Sequence, residues 1–216
     1  MPWTHPAVPG IIATVYPAIK RLLDFAASLI LIVVLIPVWL LVALAVRLSS
    51  PGPVFFLQER GGLRGHPIRV AKFRTMYADH VHDPTEVVPL SHSRITPVGR
   101  ILRRAKIDEL PQLFSVLRGD MSLVGPRPTI MEQIRQYDAL RRRRLEVRPG
   151  IAGLAQVNGN TAISWDERIR YDIYYVDHMS FGLDLMILCK TAMTVIFGEA
   201  AFARPFDQSP FAETKP

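Results

Sequence analysis

The stretch FAASLILIVVLIPVWLLVALAV, Phe25–Val46, decides the fold of this chain because it carries no charged side chain over its whole length. About 20 consecutive apolar residues suffice to cross a bilayer as a helix, and this run is long enough. A signal peptide is disfavoured, since the run is too long and no small-residue cleavage site follows it. A buried core helix that is apolar on every side would need a much larger domain around it. The sequence therefore predicts membrane insertion.

Pro37 lies in the middle of this apolar run, where it removes a backbone donor and clashes with the preceding turn, so a break in the helix is predicted. Lys20 and Arg21 precede the run and Arg47 follows it, so both flanks are basic. Positive flanks favour the cytoplasmic side, and here they favour the same side for both ends. A re-entrant membrane helix over residues 20–48, broken at Pro37, satisfies both observations. A kinked helix that crosses the bilayer is the alternative.

The composition combines a basic charge balance with high apolar content. The chain of 216 residues carries a formal net charge of +7, and 49% of its residues are hydrophobic, with a mean hydropathy of +0.18. This apolar content excludes a disordered acidic chain. Cys189 is the one cysteine, which excludes an intramolecular disulfide framework and a cysteine-rich zinc module, and we expect it to pack as a small hydrophobe. A basic protein at an anionic membrane surface accounts for both properties.

The remaining sequence predicts an α+β fold that is mainly helical, with a short β-hairpin and amphipathic interfacial helices around a domain over residues 49–200. Proline punctuates residues 1–19, which predicts an irregular N-terminal arm, and residues 201–216 are expected to form an irregular tail. Two strands are predicted, over Val54–Gln58 and Ile68–Phe73. Four helices are also predicted: one after Thr96-Pro97, one from Pro128-Thr129 to about Glu146, one after the capping box Ser164–Glu167, and one over Leu183–Phe197.

Two polar stretches have ordinary interpretations. Tyr77–Arg94 contains His80, His82, Asp83 and His92, but their spacing matches no standard metal-ligand pattern, so we expect a solvated loop rather than a metal site. Arg141–Arg144 would usually be a solvated helix face. Beside a membrane segment it is predicted to act as an anchor, because each basic residue at an anionic surface contributes about 1 kcal/mol.

The chemistry is concentrated in the stretch RRAKIDELP, Arg103–Pro111. Asp108 and Glu109 are adjacent where a helix must end or bend, because Pro111 fits only the first turn of a new helix. Carboxylates there face free backbone N–H groups, which favours their ionised form. An ionised aspartate can act as a nucleophile that accepts a phosphoryl group. The ordinary alternative is a helix cap, with Arg104 paired to Asp108 four residues on.

Attack by a carboxylate on an anionic phosphate requires cations that cancel the repulsion. Arg103, Arg118 and Arg127 are close to the carboxylate pair in sequence. Arg127 belongs to Gly125–Pro128, a rigid GPRP loop that leads into a predicted helix start and is suited to hold a phosphate. The sequence contains no P-loop and no G-x-G-x-x-G motif that would indicate a competing chemistry.

Several motifs occur together and in order over almost the whole chain, from about Lys20 to Phe197. They are KFRTM at Lys72–Met76, IDELPQLFSVLRGDMSLVGPRPT at Ile107–Thr129, VRPGIAGLAQVNG at Val147–Gly159, SWDERIRYDIYYVDH at Ser164–His178 and LDL at Leu183–Leu185. This set resembles the bacterial sugar transferases, the monotopic phosphoglycosyl transferases. The resemblance covers what looks like the minimal catalytic unit of that family.

The resemblance implies transfer of a phospho-sugar from a UDP-sugar to undecaprenyl phosphate, with release of UMP. In the family, the residue that matches Asp108 is the nucleophile of a ping-pong reaction through an aspartyl-phosphosugar intermediate. Glu109 matches the second carboxylate, which is expected to bind Mg²⁺ together with Asp108 or to handle protons. Arg103 and Arg127 match basic residues around the phosphates, and Lys72 is carried over with them.

The same resemblance implies that the protein is located in the bacterial inner membrane, with its catalytic domain on the cytoplasmic face. It also implies that the protein catalyses the first membrane step of glycoconjugate synthesis. Membrane lipids and downstream glycosyltransferases are the implied partners. The membrane helix of the family bends at a Ser-Pro pair, whereas Ile36 precedes Pro37 here.

Two other functions fit part of the sequence. One is a membrane-tethered basic binding module, and the other is a UDP-sugar hydrolase of the same fold. A nucleic-acid-binding module should cluster its arginines with aromatic residues on one face. Here the arginines of the central motif lie beside carboxylates, so nucleic acid is not an expected partner.

Overall fold

The computed structural model describes residues 11–78 and 88–212 of the chain. The fold is mainly helical with a short antiparallel hairpin, as predicted. His80, His82 and Asp83 lie outside the described residues. The helices are α1 Ile11–Val34, α2 Ile36–Ser49, α3 Pro97–Arg104, α4 Leu113–Arg118, α5 Met131–Arg135, α6 Ala139–Arg142, α7 Trp165–His178 and α8 Phe181–Phe197, and the strands are β1 Phe55–Gly61, β2 Pro67–Phe73, β3 Ser122–Val124 and β4 Gly150–Ala152.

The apolar run forms a bent pair of helices. Helices α1 and α2 meet at Leu35 at an angle of 63°, and Pro37 lies in the first turn of α2, where its missing N–H is tolerated. Among the described residues, neither helix alone has the length and apolar content to cross a membrane, whereas the pair together meets both criteria. Large apolar side chains along both helices face outward, including those of Ile30, Leu40 and Leu41, each more than 60% exposed.

Polar contacts fasten α1 to the rest of the chain. Arg21 donates hydrogen bonds to the carbonyl oxygens of Val116 and Leu117, at the C-terminal end of α4, over 2.6 and 2.9 Å. The carboxylate of Asp24 accepts a hydrogen bond from Ser122 Oγ over 2.6 Å at the start of β3. Because charged groups hold the helix on one side, its apolar side is left free.

Helix α2 packs against the hairpin that β1 and β2 form. The Trp39 ring lies edge-on to Phe73, with ring centroids 6.0 Å apart. Arg74, directly after β2, is buried and donates to the carbonyl oxygens of Ser50 and Pro51, over 2.6 and 2.8 Å. These contacts satisfy the carbonyl groups of the two residues that follow the last turn of α2. The end of the bent helix pair is therefore tied to the strand that carries Lys72.

A short parallel pairing between β3 and β4 joins two of the sequence motifs. Ser122 pairs with Gly150 and Val124 pairs with Ala152. A Cβ atom at Gly150 would overlap the backbone nitrogen of Gly125, so the close approach of the two strands requires glycine. These strands were not predicted from the sequence, because three residues are too few to show a periodicity. Their pairing anchors the base of the GPRP loop.

Two predicted element boundaries are wrong. Residues 11–19 are helical rather than irregular, and α1 accommodates Pro17. The helix expected from Pro128 to Glu146 is broken into α5, α6 and a 3₁₀ turn, because Asp138 caps a new helix by accepting from the backbone N–H of Arg141. The C-terminal tail, predicted to be irregular, contains only short 3₁₀ turns over its described residues, and it packs on the fold through Phe206, which is 5% exposed and contacts Tyr171.

Two side-chain predictions are also corrected. Cys189 is exposed on α8 instead of being packed inside. Arg144, expected with its neighbours to serve as a membrane anchor, is only 4% exposed and forms an ion pair of 2.6 Å with Asp172 of α7. Arg141 is bonded to Asp166 at the start of the same helix. The arginine run therefore joins segments of the fold by ion pairs.

Candidate active site

The carboxylate pair lies on a tight turn between two helices. Helix α3 ends at Arg104, Lys106 has a left-handed backbone with φ of 58°, and a 3₁₀ turn follows over Ile107–Gln112. Pro111 lies within this turn, two residues before α4 begins at Leu113. The predicted bend is confirmed, with a 3₁₀ turn in place of an α-helical start. The turn directs both carboxylates inward, so that each is less than 10% exposed.

Glu109 is bound by two cations from different parts of the chain. Lys72 Nζ of β2 lies 2.6 Å from Glu109 Oε1, and Arg127 contacts both oxygens, with Nη2 2.6 Å from Oε1 and Nη1 3.3 Å from Oε2. Burial acts to raise the pKa of Glu109, but Arg127 and Lys72 hold that pKa well below its usual range. Glu109 is therefore ionised and fixes the position of both cations.

Asp108 has a different environment. Within the described residues, no hydrogen bond or ion pair engages its carboxylate, and the pairing with Arg104 does not form. Burial, and then the charge of Glu109, raise the pKa of Asp108, while Lys72, Arg103 and Arg127 act in the opposite direction. The prediction that the helix terminus favours ionisation of this residue is wrong, because burial outweighs it. The result is an unpaired carboxylate surrounded by cations, which is suited to nucleophilic attack.

Arg103 is directed at the site from the last turn of α3. Its Nε donates to Thr75 Oγ1 over 2.9 Å and its Nη1 donates to the carbonyl oxygen of Val88 over 3.3 Å. Helix α3 approaches this segment so closely that a Cβ at Gly99 would overlap the backbone carbonyl of Thr75. Arg118, the third arginine noted in the sequence, lies elsewhere and pairs with Asp120 at 2.9 Å.

The loop that carries Arg127 is held from behind by Arg144. Arg144 donates to the carbonyl oxygen of Arg127 over 3.1 Å and to Thr129 Oγ1 over 2.9 Å. Asp172 balances the charge of Arg144 at 2.6 Å, and both side chains are at most 3% exposed. This arrangement fixes the Arg127 backbone while its guanidinium group remains directed at Glu109.

These groups line one cavity of about 1000 Å³. One wall carries both carboxylates with Lys72, Arg103 and Arg127. Another wall is formed by residues 160–161 and by the C-terminal end of α8 with the residues that follow it, 194–199. A volume of this size accommodates a ligand as large as a nucleotide sugar.

Comparison with known proteins places this arrangement in a family. The family profile described as "Bacterial sugar transferase" matches residues 15–198. The chain belongs to the bacterial sugar transferase family. The resemblance inferred from the motifs is thus confirmed, and with it the expectation that the chain is a transferase.

Three relatives are similar to this sugar transferase over most of its length. It is 46% identical over 181 residues to "Uncharacterized sugar transferase EpsL" of Bacillus subtilis, covering 84% of this chain and 89% of the relative. It is 43% identical to "UDP-glucose:undecaprenyl-phosphate glucose-1-phosphate transferase" of Caulobacter vibrioides, covering 85% and 72%. It is 41% identical to "UDP-N-acetylgalactosamine-undecaprenyl-phosphate N-acetylgalactosaminephosphotransferase" of Aeromonas hydrophila, covering 87% of this chain and 46% of that protein.

The two predicted magnesium ligands of this sugar transferase differ in their fitness for that role. Over residues 11–78 and 88–212, no three His, Cys, Asp or Glu side chains are grouped as a metal site. Both oxygens of Glu109 are engaged by cations, which does not suit a metal ligand. The carboxylate of Asp108 is unengaged. Mg²⁺ commonly binds through one or two carboxylates and substrate phosphates, so Asp108 alone fits that pattern.

Several residues of the cavity wall were not singled out from the sequence, among them Arg60, Lys106, Asn160 and Glu199. Arg60 of β1 is partly buried, and desolvation, followed by the charge of Arg127, lowers the pKa of Arg60 to about 10. Glu199 accepts hydrogen bonds from both Lys106 and Asn160. The alternation along β1 could have indicated Arg60, because it lies two residues from Gln58, which also lines the cavity. No local pattern marks Glu199.

Proposed function

We propose that this chain transfers a sugar 1-phosphate from a UDP-sugar to undecaprenyl phosphate and releases UMP. The observation that carries the proposal is a pair of adjacent buried carboxylates in a cation-lined cavity, one engaged by two cations and the other unpaired among the described residues. The names of two relatives, from Caulobacter vibrioides and Aeromonas hydrophila, describe reactions of this class.

In the first proposed step, an oxygen of Asp108 attacks the phosphorus atom that bears the sugar. The bond from that phosphorus to the bridging oxygen breaks, UMP leaves with the bond electrons, and an aspartyl-phosphosugar remains on the chain. Lys72, Arg103 and Arg127 offset the charge that develops on the phosphate oxygens. Glu109 keeps two of these cations in place before substrate arrives, so little reorganisation is needed during the reaction.

In the second step, a phosphate oxygen of undecaprenyl phosphate attacks the same phosphorus atom. The acyl-phosphate bond breaks, the carboxylate of Asp108 is regenerated, and the sugar leaves on a lipid diphosphate. Mg²⁺, when bound through Asp108 and the substrate phosphates, would supply further charge neutralisation. The carboxylate of Asp108 must be ionised at the start of each cycle, so its raised pKa sets the acid limit of activity.

The bent helix pair supports a membrane role for the chain. We propose that α1 and α2 enter and leave the cytoplasmic face of the inner membrane as a re-entrant hairpin, because their apolar side chains face outward and the break lies between them. The cavity wall includes Pro53, which follows α2, and Phe197, which ends α8. In this proposed arrangement, the carboxylates lie where a lipid phosphate and a nucleotide sugar from solution can meet. The product would pass to downstream glycosyltransferases, as the first membrane-bound intermediate of a glycan.

The reaction is tested with purified protein in lipid nanodiscs, Mg²⁺, undecaprenyl phosphate and a panel of radiolabelled UDP-sugars that includes UDP-glucose and UDP-N-acetylgalactosamine. We expect a lipid-linked product and an equal amount of UMP with at least one donor. Release of sugar phosphate into water without lipid product would instead support the hydrolase. A basic binding module would consume no donor, and Asp108→Asn serves as the matched inactive control.

The topology is tested by labelling introduced cysteines in a Cys189→Ser background. Gly10→Cys and Ser91→Cys bracket the helix pair along the chain. The re-entrant arrangement predicts that an impermeant thiol reagent reaches both positions from the same side of sealed vesicles. Labelling from opposite sides would favour a kinked helix that crosses the bilayer.

A further inference from the structure

One carboxylate connects two backbone segments that have unusual conformations. Within residues 11–78 and 88–212, positive φ outside glycine occurs at Arg64, Lys106 and Asn160, at 56°, 58° and 45°. Glu199 binds two of these three: Lys106 Nζ lies 2.6 Å from Oε1, and Asn160 Nδ2 donates to Oε2 over 2.8 Å. A left-handed backbone is unfavourable for a residue with a Cβ and persists where the surroundings hold it.

Lys106 controls the direction in which the chain leaves α3. Its backbone N–H donates to the carbonyl oxygen of Arg103 over 3.2 Å, and its own carbonyl oxygen accepts from the N–H of Glu109 over 3.3 Å. The conformation of Lys106 therefore sets the position of the turn that carries Asp108 relative to the helix that carries Arg103. A return of Lys106 to a right-handed backbone would change the orientation of the turn relative to Arg103.

We propose that Glu199 is a positioning residue that holds Lys106 in its left-handed conformation and thereby aligns Asp108 with the cations of the site. The inference rests on the function proposed above. Glu199 follows the residues matched by the family profile, which end at 198. It belongs to a C-terminal segment that is fastened to the fold, since the backbone N–H of Arg204 donates to the carbonyl oxygen of Asn158 over 3.2 Å.

The kinetic test uses the freedom of glycine to adopt a left-handed backbone. In Glu199→Ala we expect kcat to fall about tenfold, with KM for the UDP-sugar changed less than about twofold, because alignment is lost but substrate contacts are not. Glu199→Gln, which retains an acceptor, should lose less. Adding Lys106→Gly to Glu199→Ala should restore kcat several-fold relative to adding Lys106→Ala. Both replacements remove the lysine charge, so their difference isolates the backbone conformation.

A second readout does not depend on turnover. Hydrogen–deuterium exchange of the peptide over residues 103–112 should be faster in Glu199→Ala than in the wild type, because the amides of Lys106 and Glu109 lose their fixed partners. Asp207→Asn is the matched control, since it breaks the ion pair with Arg170 in the same C-terminal segment, away from the turn. It should leave exchange in that peptide unchanged. This measurement tests the positioning role even if no lipid-linked product is formed.

The proposal has clear contrary outcomes. The proposal is contradicted if, in the Glu199→Ala background, Lys106→Gly restores no more activity than Lys106→Ala. It is also contradicted if hydrogen–deuterium exchange over residues 103–112 is the same in Glu199→Ala and in the wild type. Either result would show that Glu199 does not hold Lys106 in its left-handed conformation. A large rise in KM with unchanged kcat would show instead that Glu199 contacts the substrate. Thermal unfolding of each variant confirms that it is folded before these comparisons are made.

Discussion

The buried carboxylate of Asp184 is the contact whose loss should damage the fold most. It accepts hydrogen bonds from Tyr16 and Tyr175 over 2.6 and 2.7 Å, and Lys20 Nζ lies 2.5 Å away, so it joins α1, α7 and α8. The side chains of Lys20 and Asp184 are only 10% and 9% exposed. Asp184→Ala leaves the ammonium group of Lys20 with Asp24 as a more distant partner at 3.7 Å.

The expected cost follows from this burial. Removing one partner of a buried ion pair destabilises a protein by about 3–5 kcal/mol. For a chain of this length, each kcal/mol lowers Tm by about 2–4 °C, so Asp184→Ala should lower Tm by roughly 6–20 °C. Thermal unfolding in nanodiscs, followed by circular dichroism, measures the change. Asp207→Asn, at a largely exposed carboxylate, is the surface control and should change stability by less than about 1 kcal/mol.

A double substitution separates the ion pair from general damage to packing. Lys20→Met combined with Asp184→Leu removes both charges and keeps apolar volume, so it should lose less stability than Asp184→Ala alone. An Asp184→Ala variant that unfolds within 1 or 2 °C of the wild type, a shift of less than about 1 kcal/mol, would contradict the assigned cost of the ion pair. The same cost is contradicted if the stability lost by the double variant equals the sum of the losses measured for Lys20→Met and Asp184→Leu separately.

Four further predictions concern the site and its support. Arg127→Lys should lower kcat about 100-fold, because a single ammonium group cannot replace the two-point contact with Glu109 and phosphate. Glu109→Gln should move the acid limb of the kcat/KM pH profile to lower pH, since the charge of Glu109 contributes to the raised pKa of Asp108. Asp108→Asn should abolish turnover yet raise Tm near neutral pH. When a carboxyl group has a raised pKa in the folded state, the folded protein loses stability as pH rises through that pKa. The amide of asparagine does not ionise and so removes this loss. Gly99→Ala should cost about 1–3 kcal/mol by overlap with a backbone carbonyl, whereas Gly182→Ala on α8, where a Cβ meets nothing within 4 Å, should be nearly neutral.

Each of these predictions has a direct check. Steady-state kinetics with a saturating lipid acceptor contradict the first if the lysine variant retains wild-type kcat. An acid limb that stays in place or moves to higher pH contradicts the second. A lower Tm for the asparagine variant at pH 7 contradicts the third. Equal melting temperatures for the two alanine variants contradict the fourth.

The sequence was most informative where a single local rule dominates. A long uncharged run interrupted by Pro37 predicted the bent helix pair, because proline has no backbone N–H to continue the hydrogen bonds of a helix. The Thr96 cap followed by Pro97 predicted the start of α3, and the Ser164 cap predicted the start of α7. The stretch around Asp108 predicted a bend with two carboxylates, and the structure has one there.

The features that the sequence did not predict depend on contacts between residues that are far apart along the chain. Burial raises the pKa of Asp108, although its place at a helix start favours the ionised form. Arg144 is buried because Asp172 meets it from α7, which no pattern within the arginine run could indicate. The parallel pairing of β3 with β4 joins residues that are far apart in sequence, such as Ser122 and Gly150. Glu199 reaches Lys106 across 93 positions, so only the folded chain reveals their contact.

The central claim is that Asp108 forms a covalent intermediate with the phosphosugar. It is tested most directly by mixing purified protein with Mg²⁺ and the UDP-sugar identified as its donor, in the absence of undecaprenyl phosphate. We predict release of about one UMP per active site and a gain in intact protein mass equal to one phosphosugar, carried by the peptide that contains Asp108. Addition of undecaprenyl phosphate should then remove the adduct. Lipid-linked product without any adduct, or an adduct that persists in Asp108→Asn, would contradict the account.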